Sequence, residues 1–242
     1  MVAPDFNIDW HEVEKAVSEK TRIILINSPQ NPTGTTLKPS DMVLLRQIVK
    51  DTGIVIVSDE VYEHIIFDHR HESVLHYPDL AERSFAVFSF GKTYHITGWK
   101  LGYILAPDFL MEEFRKVHQF EVFTVNRPIQ MALADFMQHK NEYLQLNDFY
   151  KNKRDLFCEY LKGSRFSIKP SDGTYFQLLG YNNITDEPDT ELAKKWTREV
   201  GVASIPMSVF YPDMVDYKLL RFCFAKEDDT LKKAGEILSA IR

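Results

Sequence analysis

The fold is decided by residues 22–59, which read RIILINSPQNPTGTTLKPSDMVLLRQIVKDTGIVIVSD. Residues 23–26 form a continuous apolar run, which is typical of a strand buried on both faces of a parallel sheet. After a loop, Pro39 opens a segment with apolar residues at helical spacing. Residues 54–57 form a second apolar run. Strand, helix and strand of these lengths predict a βαβ unit, and hence a mainly parallel sheet whose ligands lie beyond the carboxyl ends of its strands.

Polar motifs follow three of the apolar runs. Asn31 comes after the first run, Asp59 ends the second, and Lys92 follows the run at residues 85–88. Because the carboxyl ends of parallel strands share one edge of a sheet, we expect these three side chains to converge on one rim. The small residues around Lys92, with Lys100 close behind, suit an amine next to an anion. An amine that is shielded from water near another cation loses its proton more easily and can attack a carbonyl carbon.

Composition bounds the kind of protein. The 242 residues are 44% hydrophobic, which is enough for a core in one or two domains. A net charge of −6 argues against nucleic acid as a partner, because there is no basic stripe to neutralise phosphates. Cys158 and Cys223 show no pairing pattern, which is consistent with a reducing compartment. No apolar run reaches membrane-spanning length, and the first residues lack a secretion signal, so a cytoplasmic protein without membrane contact is predicted.

The rest of the chain predicts two domains, at residues 1–140 and 141–242. Residues 64–78 are polar and rich in histidine, but their spacing matches no defined ligand set, so they are interpreted as a solvated loop without a metal. A strand at 102–106 and helices at 108–118 and 127–138 are expected next. A long helix at 142–162 is expected to bridge the domains. The second domain is predicted to alternate strands and helices, with strands at 166–168, 175–179, 202–205 and 219–224 and helices at 191–200 and from 229 onward.

Four stretches resemble, in this order, the motifs of pyridoxal-phosphate aminotransferases of fold type I. They are NSPQNPTG at 27–34, SDEVY at 58–62, SFGKTYHITGWKLG at 89–102 and LRFCFA at 220–225. The resemblance is nearest to the methionine and kynurenine aminotransferase branch, through residues 91–95, 173–176 and 203–206. It implies an α/β fold, with the mainly parallel sheet of a fold type I large domain, truncated at its N-terminus, and a smaller α+β C-terminal domain. It also implies pyridoxal 5'-phosphate as cofactor and a homodimer in the full-length form.

The same resemblance assigns roles to individual residues. Lys92 matches the lysine that forms the imine with the cofactor and then moves a proton as general base and acid. Asp59 matches the carboxylate that keeps the ring nitrogen protonated. Tyr62 and Asn31 match the hydroxyl and the amide that hold the ring oxygen.

Three further residues and one peptide bond are assigned in this way. Ser89 and Lys100 match two ligands of the cofactor phosphate. Lys100 departs from the arginine of many relatives and gives a point charge in place of a bidentate fork. Arg221 matches the arginine that binds the substrate α-carboxylate. The Asn31–Pro32 bond is predicted to be cis.

The predicted activity is transfer of an amino group from an apolar, aromatic or methionine-like amino acid to a 2-oxo acid. A carbon–sulfur β-lyase that uses the same cofactor would retain Lys92 and Asp59, and a non-catalytic aminotransferase-like domain is the third possibility. The family has a substantial portion before the Asn-Pro-Thr-Gly motif that this chain lacks. We therefore expect the chain alone to bind cofactor weakly and to be weakly active or inactive.

Overall fold

The computed structural model describes residues 4–241. Contacts between Cα atoms group them into two compact units. The first unit consists of Asn7–Pro29 and Thr36–Leu146, and the second consists of residues 4–6, Gln30–Thr35 and residues 147–241. The α/β class predicted from the sequence is confirmed, because the first unit contains a mainly parallel sheet.

The first unit contains four strands and seven helices within its described residues. The strands are β1 (Ile23–Asn27), β2 (Val55–Asp59), β3 (Ser84–Ser89) and β4 (Gly102–Leu105). The helices are α1 (Trp10–Ala16), α2 (Pro39–Val49), α3 (Pro78–Ala81), α4 (Phe90–Thr93), α5 (Asp108–Glu121), α6 (Arg127–Phe136) and α7 (Asn141–Leu144). Two short 3₁₀ turns lie at Val74–His76 and Thr97–Trp99. The predicted β1–α2–β2 unit is therefore present.

The strands of this sheet follow the order β1-β2-β3-β4. The first three are parallel, with Asn27 opposite Asp59 and Asp59 opposite Val87. Strand β4 runs antiparallel to β3 and places Gly102 opposite Ser89. The ends of β2 and β3 therefore lie side by side, so the residues that follow them begin at one edge of the sheet.

Burial on one face of the sheet holds the first unit together. Helices α1 and α2 pack there because Trp10, Leu45 and Val49 are buried in one cluster with the inward residues of the strands. The Trp10 indole also donates a hydrogen bond of 2.8 Å to the Asp41 carboxylate, which joins the two helices through a polar contact. On the edge strand β1, Ile23 remains 59% exposed, so the burial expected on both faces of that strand is not present.

The second unit is an antiparallel sheet with three helices. Its strands are β5 (Ser167–Ile168), β6 (Phe176–Gly180), β7 (Ile205–Pro206) and β8 (Leu219–Cys223), in the order β5-β6-β8-β7. Its helices are α8 (Leu146–Tyr160), α9 (Asp189–Glu199) and α10 (Asp228–Ser239). A Cβ atom at Gly235 would lie 2.4 Å from the Tyr160 Cβ, so only glycine allows α10 to approach α8 so closely.

Some predicted elements differ from the structure. The long helix expected at 142–162 is interrupted at Gln145, which separates α7 from α8. The strand expected at 202–205 is reduced to Ile205–Pro206, because only these residues pair with β8. Among the described residues, no helix combines the length and the apolar character needed to cross a bilayer. Cys158 and Cys223 form no disulfide.

Candidate functional site

Asp59 is the last residue of β2, and its side chain lies on the less buried face of that strand. Alternate residues of a strand point to opposite faces, and Ile56 and Ser58 occupy the buried one. Burial raises the pKa of the Asp59 carboxyl above its ordinary value, although a hydrogen bond from the Val61 N–H and the charge of Lys92 oppose this rise. The carboxylate is therefore partly desolvated and within the electrostatic field of a lysine.

Lys92 lies in α4, the single helical turn that follows β3. Its Nζ lies 5.5 Å from the centre of the Tyr62 ring. Tyr62 is buried, at 3% exposure, in the turn that follows β2. The structure thus brings Lys92, Asp59 and Tyr62 together at the carboxyl ends of two neighbouring strands. Of the three residues predicted to share this rim, Asp59 and Lys92 do so, whereas Asn31 belongs to the second unit.

The loop from Ser89 to Gly102 has both ends fixed by the β3–β4 pairing. A Cβ at Gly91 would lie 2.9 Å from the Thr97 Cα, so the loop packs closely on itself at this glycine. Lys100 is exposed and has a φ of +56°, two positions before the start of β4. Ser89 and Lys100, both predicted to bind the cofactor phosphate, therefore lie near the two ends of the loop that contains Lys92.

The histidine-rich segment is not the solvated loop predicted from the sequence. His71 is largely buried, and its Nε2 lies 2.7 Å from a carboxylate oxygen of Glu60, which is fully buried. Val74 in the same segment is also fully buried. The prediction was wrong because it relied on polar composition. The sequence alone does not distinguish a histidine that is paired with a buried acid from one that is exposed to solvent. Within residues 4–241, no group of three or more histidine, cysteine or acidic side chains is arranged to hold a metal ion.

The sequence analysis missed both members of this pair. The signal for Glu60 was available, because Ile56, Ser58 and Glu60 alternate with the residues on the face of Asp59. No local pattern identifies His71, since its partner lies 11 positions away across a loop.

Arg221 and Asn31 belong to the second unit. The Arg221 guanidinium donates a hydrogen bond to the Asn31 side-chain oxygen. The guanidinium carbon also lies 4.0 Å from the centre of the Phe176 ring and 5.5 Å from that of Phe210. Cation–π contact and the amide together fix the direction of the guanidinium. The Asn31–Pro32 bond is cis, as predicted.

The residues around Asp59 have the donor set that pyridoxal 5'-phosphate requires. Lys92 provides an amine for an aldehyde, Asp59 a carboxylate for a protonated ring nitrogen, and Tyr62 a phenol for the ring oxygen. Ser89 and Lys100 provide a hydroxyl and a positive charge for a phosphate. The side chains present therefore fit this group chemically.

Comparisons with known proteins also indicate an aminotransferase. The family described as aminotransferase class I and II matches residues 1–238. The chain is 48% identical over 237 residues to the methionine aminotransferase of Escherichia coli (strain K12), covering 97% of the chain and 61% of that relative. It is 30% identical over 257 residues to kynurenine–oxoglutarate transaminase 1 of Rattus norvegicus, covering 97% of the chain and 61% of that relative.

Solved structures are similar as well. One from Escherichia coli, described as having a methionine aminotransferase function, superimposes with a TM-score of 0.96 at 47% identity, covering 98% of this chain and 64% of that one. N-succinyldiaminopimelate aminotransferase from Mycobacterium tuberculosis gives a TM-score of 0.91 at 33% identity, with 97% and 62% covered. The chain spans about three-fifths of the length of these relatives. With nearly its whole length matched by the family, the chain belongs to the class I and II aminotransferases.

Proposed function

We propose that the protein containing this chain is a pyridoxal-phosphate-dependent aminotransferase that moves an amino group from a methionine-like or aromatic amino acid to a 2-oxo acid. The observation that carries the proposal is the grouping of Lys92, Asp59 and Tyr62 at the ends of β2 and β3. The identity to a methionine aminotransferase supports the choice of substrate class.

When bound, the cofactor supplies an aldehyde that accepts the amino group and a ring that accepts the electrons of the broken Cα–H bond. In this proposal Lys92 would hold the aldehyde of the cofactor and, once the substrate amine had replaced it there, its free amine would take up the proton of Cα and return it. Asp59 holds the proton on the ring nitrogen through its charge. Because Asp59 is partly buried, its interaction with that positive nitrogen is stronger than it would be in water.

The remaining assignments follow from donor chemistry. Tyr62 and Asn31 donate hydrogen bonds to the ring oxygen, and Ser89 and Lys100 bind the phosphate. Arg221 binds the substrate α-carboxylate as a bidentate pair. The Phe176 and Phe210 rings contact the Arg221 guanidinium, and these apolar neighbours support the proposal of an apolar substrate side chain.

We also propose the domain division and the setting of the protein. Residues 1–140 form the cofactor-binding domain, and residues 141–242 form the domain with the substrate arginine. The full-length protein is a cytoplasmic homodimer whose small-molecule partners are an amino acid and a 2-oxo acid.

Covalent trapping tests the cofactor assignment. The protein is incubated with pyridoxal phosphate, reduced with borohydride and digested, and the modified lysine is identified by mass spectrometry. We expect the label on Lys92 and its loss in Lys92→Ala, with labelling unchanged in Lys116→Ala, which removes an exposed lysine paired with Glu113. Labelling spread over surface lysines would refute the assignment.

Product analysis tests the reaction in the full-length protein. Formation of product should require a 2-oxo acid acceptor. Arg221→Lys should raise KM for the amino acid, since a point charge replaces a bidentate fork. Release of pyruvate and ammonia from a cysteine conjugate, without any acceptor, would indicate a lyase instead.

A further inference from the structure

Glu60 directly follows Asp59 but points to the opposite side of the chain. It continues the buried face of Ile56 and Ser58, and its exposure is 0%. A buried carboxylate is costly unless hydrogen-bond donors surround it. Glu60 therefore needs specific partners beneath the strand end that carries Asp59.

The donors that supply those partners include a hydroxyl, a backbone N–H and an imidazole. The Ser58 hydroxyl lies 2.8 Å from Oε1, the Val74 N–H lies 3.1 Å from Oε1, and His71 Nε2 lies 2.7 Å from Oε2. Burial alone would raise the pKa of Glu60, but the hydrogen bond and charge of His71, with the other donors, hold it below its ordinary value. Glu60 is thus an ionised group fastened to the segment containing His71 and Val74.

The backbone of Glu60 is fixed as well. Its N–H donates to the Val87 carbonyl at 2.9 Å, and its carbonyl accepts the Glu63 N–H at 3.0 Å. The turn closed by this second bond contains Tyr62. Glu60 therefore links the end of β2, where Asp59 is already paired with its neighbouring strands, to the turn that contains Tyr62 two positions later.

The imidazole of His71 makes its described hydrogen bond through Nε2, to Glu60. Its Nδ1 is buried and has no hydrogen-bond partner among residues 4–241. No hydrogen bond to Nδ1 therefore opposes the orientation that the contact with Glu60 gives the ring.

We propose that Glu60 and His71 are positioning residues, whose buried contact holds the backbone from Asp59 to Tyr62 and so fixes the acid and the phenol for the cofactor. The catalytic meaning of this role rests on the proposed function. The effect of the contact on the backbone concerns only residues of this chain and can be tested without cofactor.

Hydrogen exchange of backbone amides in the cofactor-free protein measures how firmly the contact holds the turn after Glu60. In His71→Ala, the amides of Val61 and Glu63 should exchange about tenfold faster, because they belong to the turn that Glu60 anchors. His71→Gln keeps an N–H donor at a similar reach and should restore slow exchange. Glu72→Gln is the matched control, since that carboxylate accepts a hydrogen bond from Tyr77 and makes no bond to the turn.

Cofactor affinity is measured on the same proteins by absorbance titration with pyridoxal phosphate. His71→Ala should weaken binding about tenfold, and His71→Gln should restore it. Faster exchange throughout the first unit, unchanged exchange at Val61 and Glu63, or equal behaviour of the alanine and glutamine variants would overturn the proposal. If His71→Ala does not fold, Ser58→Ala can replace it, because this variant removes one donor to the same carboxylate. It should give a smaller increase in the exchange rate of the Val61 and Glu63 amides. An unchanged exchange rate at these two amides in Ser58→Ala would also overturn the proposal.

The two proposals can fail separately. Local exchange changes without any trapping at Lys92 would leave the positioning role standing and refute the proposed function. Trapping at Lys92 with unchanged hydrogen exchange in His71→Ala would refute the positioning role and leave the proposed function standing.

Discussion

Replacing Glu63 by glutamine should stabilise the protein at neutral and alkaline pH and have no effect in acid. Glu63 lies one position after Tyr62, and burial raises the pKa of its carboxyl from 4.5 to about 7. The charge of Glu60 acts in the same direction, whereas His71 and the Tyr103 hydroxyl, 3.3 Å from Oε1, oppose it. His64 Nε2 lies 3.5 Å from Glu63 Oε1, but burial lowers the pKa of this histidine, so it contributes little positive charge at neutral pH.

The magnitude follows from linkage. At about 1.4 kcal/mol per pH unit, a rise from 4.5 to about 7 means that ionising Glu63 costs the folded state about 3 kcal/mol. The side chain is 21% exposed, so water screens part of this cost and the figure is an upper value. Below pH 4.5 the carboxyl is protonated in both states. As pH rises from about 4.5 to 7 the unfolded chain loses the proton first, so stability falls through this window and stays lower above it.

Urea unfolding at a series of pH values measures the effect. The chain has three tryptophans, and a Trp196→Phe background leaves Trp10 and Trp99, both in the first unit, as fluorescent probes. In this background Glu63→Gln should gain up to about 3 kcal/mol at pH 8 and match the parent below pH 4.5. Glutamine can still accept the hydrogen bond from Tyr103. A difference independent of pH, or a less stable variant at pH 8, would refute the reasoning.

Two pairs of substitutions have clear expectations in urea unfolding. Leu45→Ala should cost about 3 kcal/mol because Leu45 is fully buried in the core, whereas Leu44→Ala, at a 39% exposed position, should change stability by less than about 0.5 kcal/mol. Gly34→Ala should cost more than about 1 kcal/mol, because φ is +73° and the new Cβ would lie 2.6 Å from the Ser171 Cβ. Gly53→Ala, where no atom lies within 4 Å, should be nearly neutral. Equal effects within either pair would contradict the burial and close approach described for Leu45 and Gly34.

The sequence predicted the parts of the fold that depend on local patterns. The apolar runs and helical spacing between residues 22 and 59 gave β1, α2 and β2 within one or two residues of their bounds. The convergence of Asp59 and Lys92 followed from the rule that parallel strands end at one edge. These inferences succeeded because the strands and the helix are local patterns, and the rule for parallel strands then places the strand ends together.

Contacts between distant residues could not be predicted in this way. The Asn31 side chain meets Arg221 across 190 positions, and the rule for strand ends does not anticipate that partner. The break at Gln145 was missed because apolar residues continue at helical spacing on both sides of it. The burial of His71 depends on which surface its loop covers, and composition does not carry that information.

The antiparallel return of β4 has a consequence for how the lysine can move. Since Ser89 faces Gly102, and a Cβ at Gly102 would lie 2.4 Å from the Phe88 carbonyl oxygen, this pairing admits no sliding by one residue. The segment with Lys92 and Lys100 is therefore anchored at both ends for as long as β4 stays paired with β3. Detachment of β4 from β3 would release one of these two anchors, so the pairing of the two strands also preserves the starting position of the segment that carries both lysines.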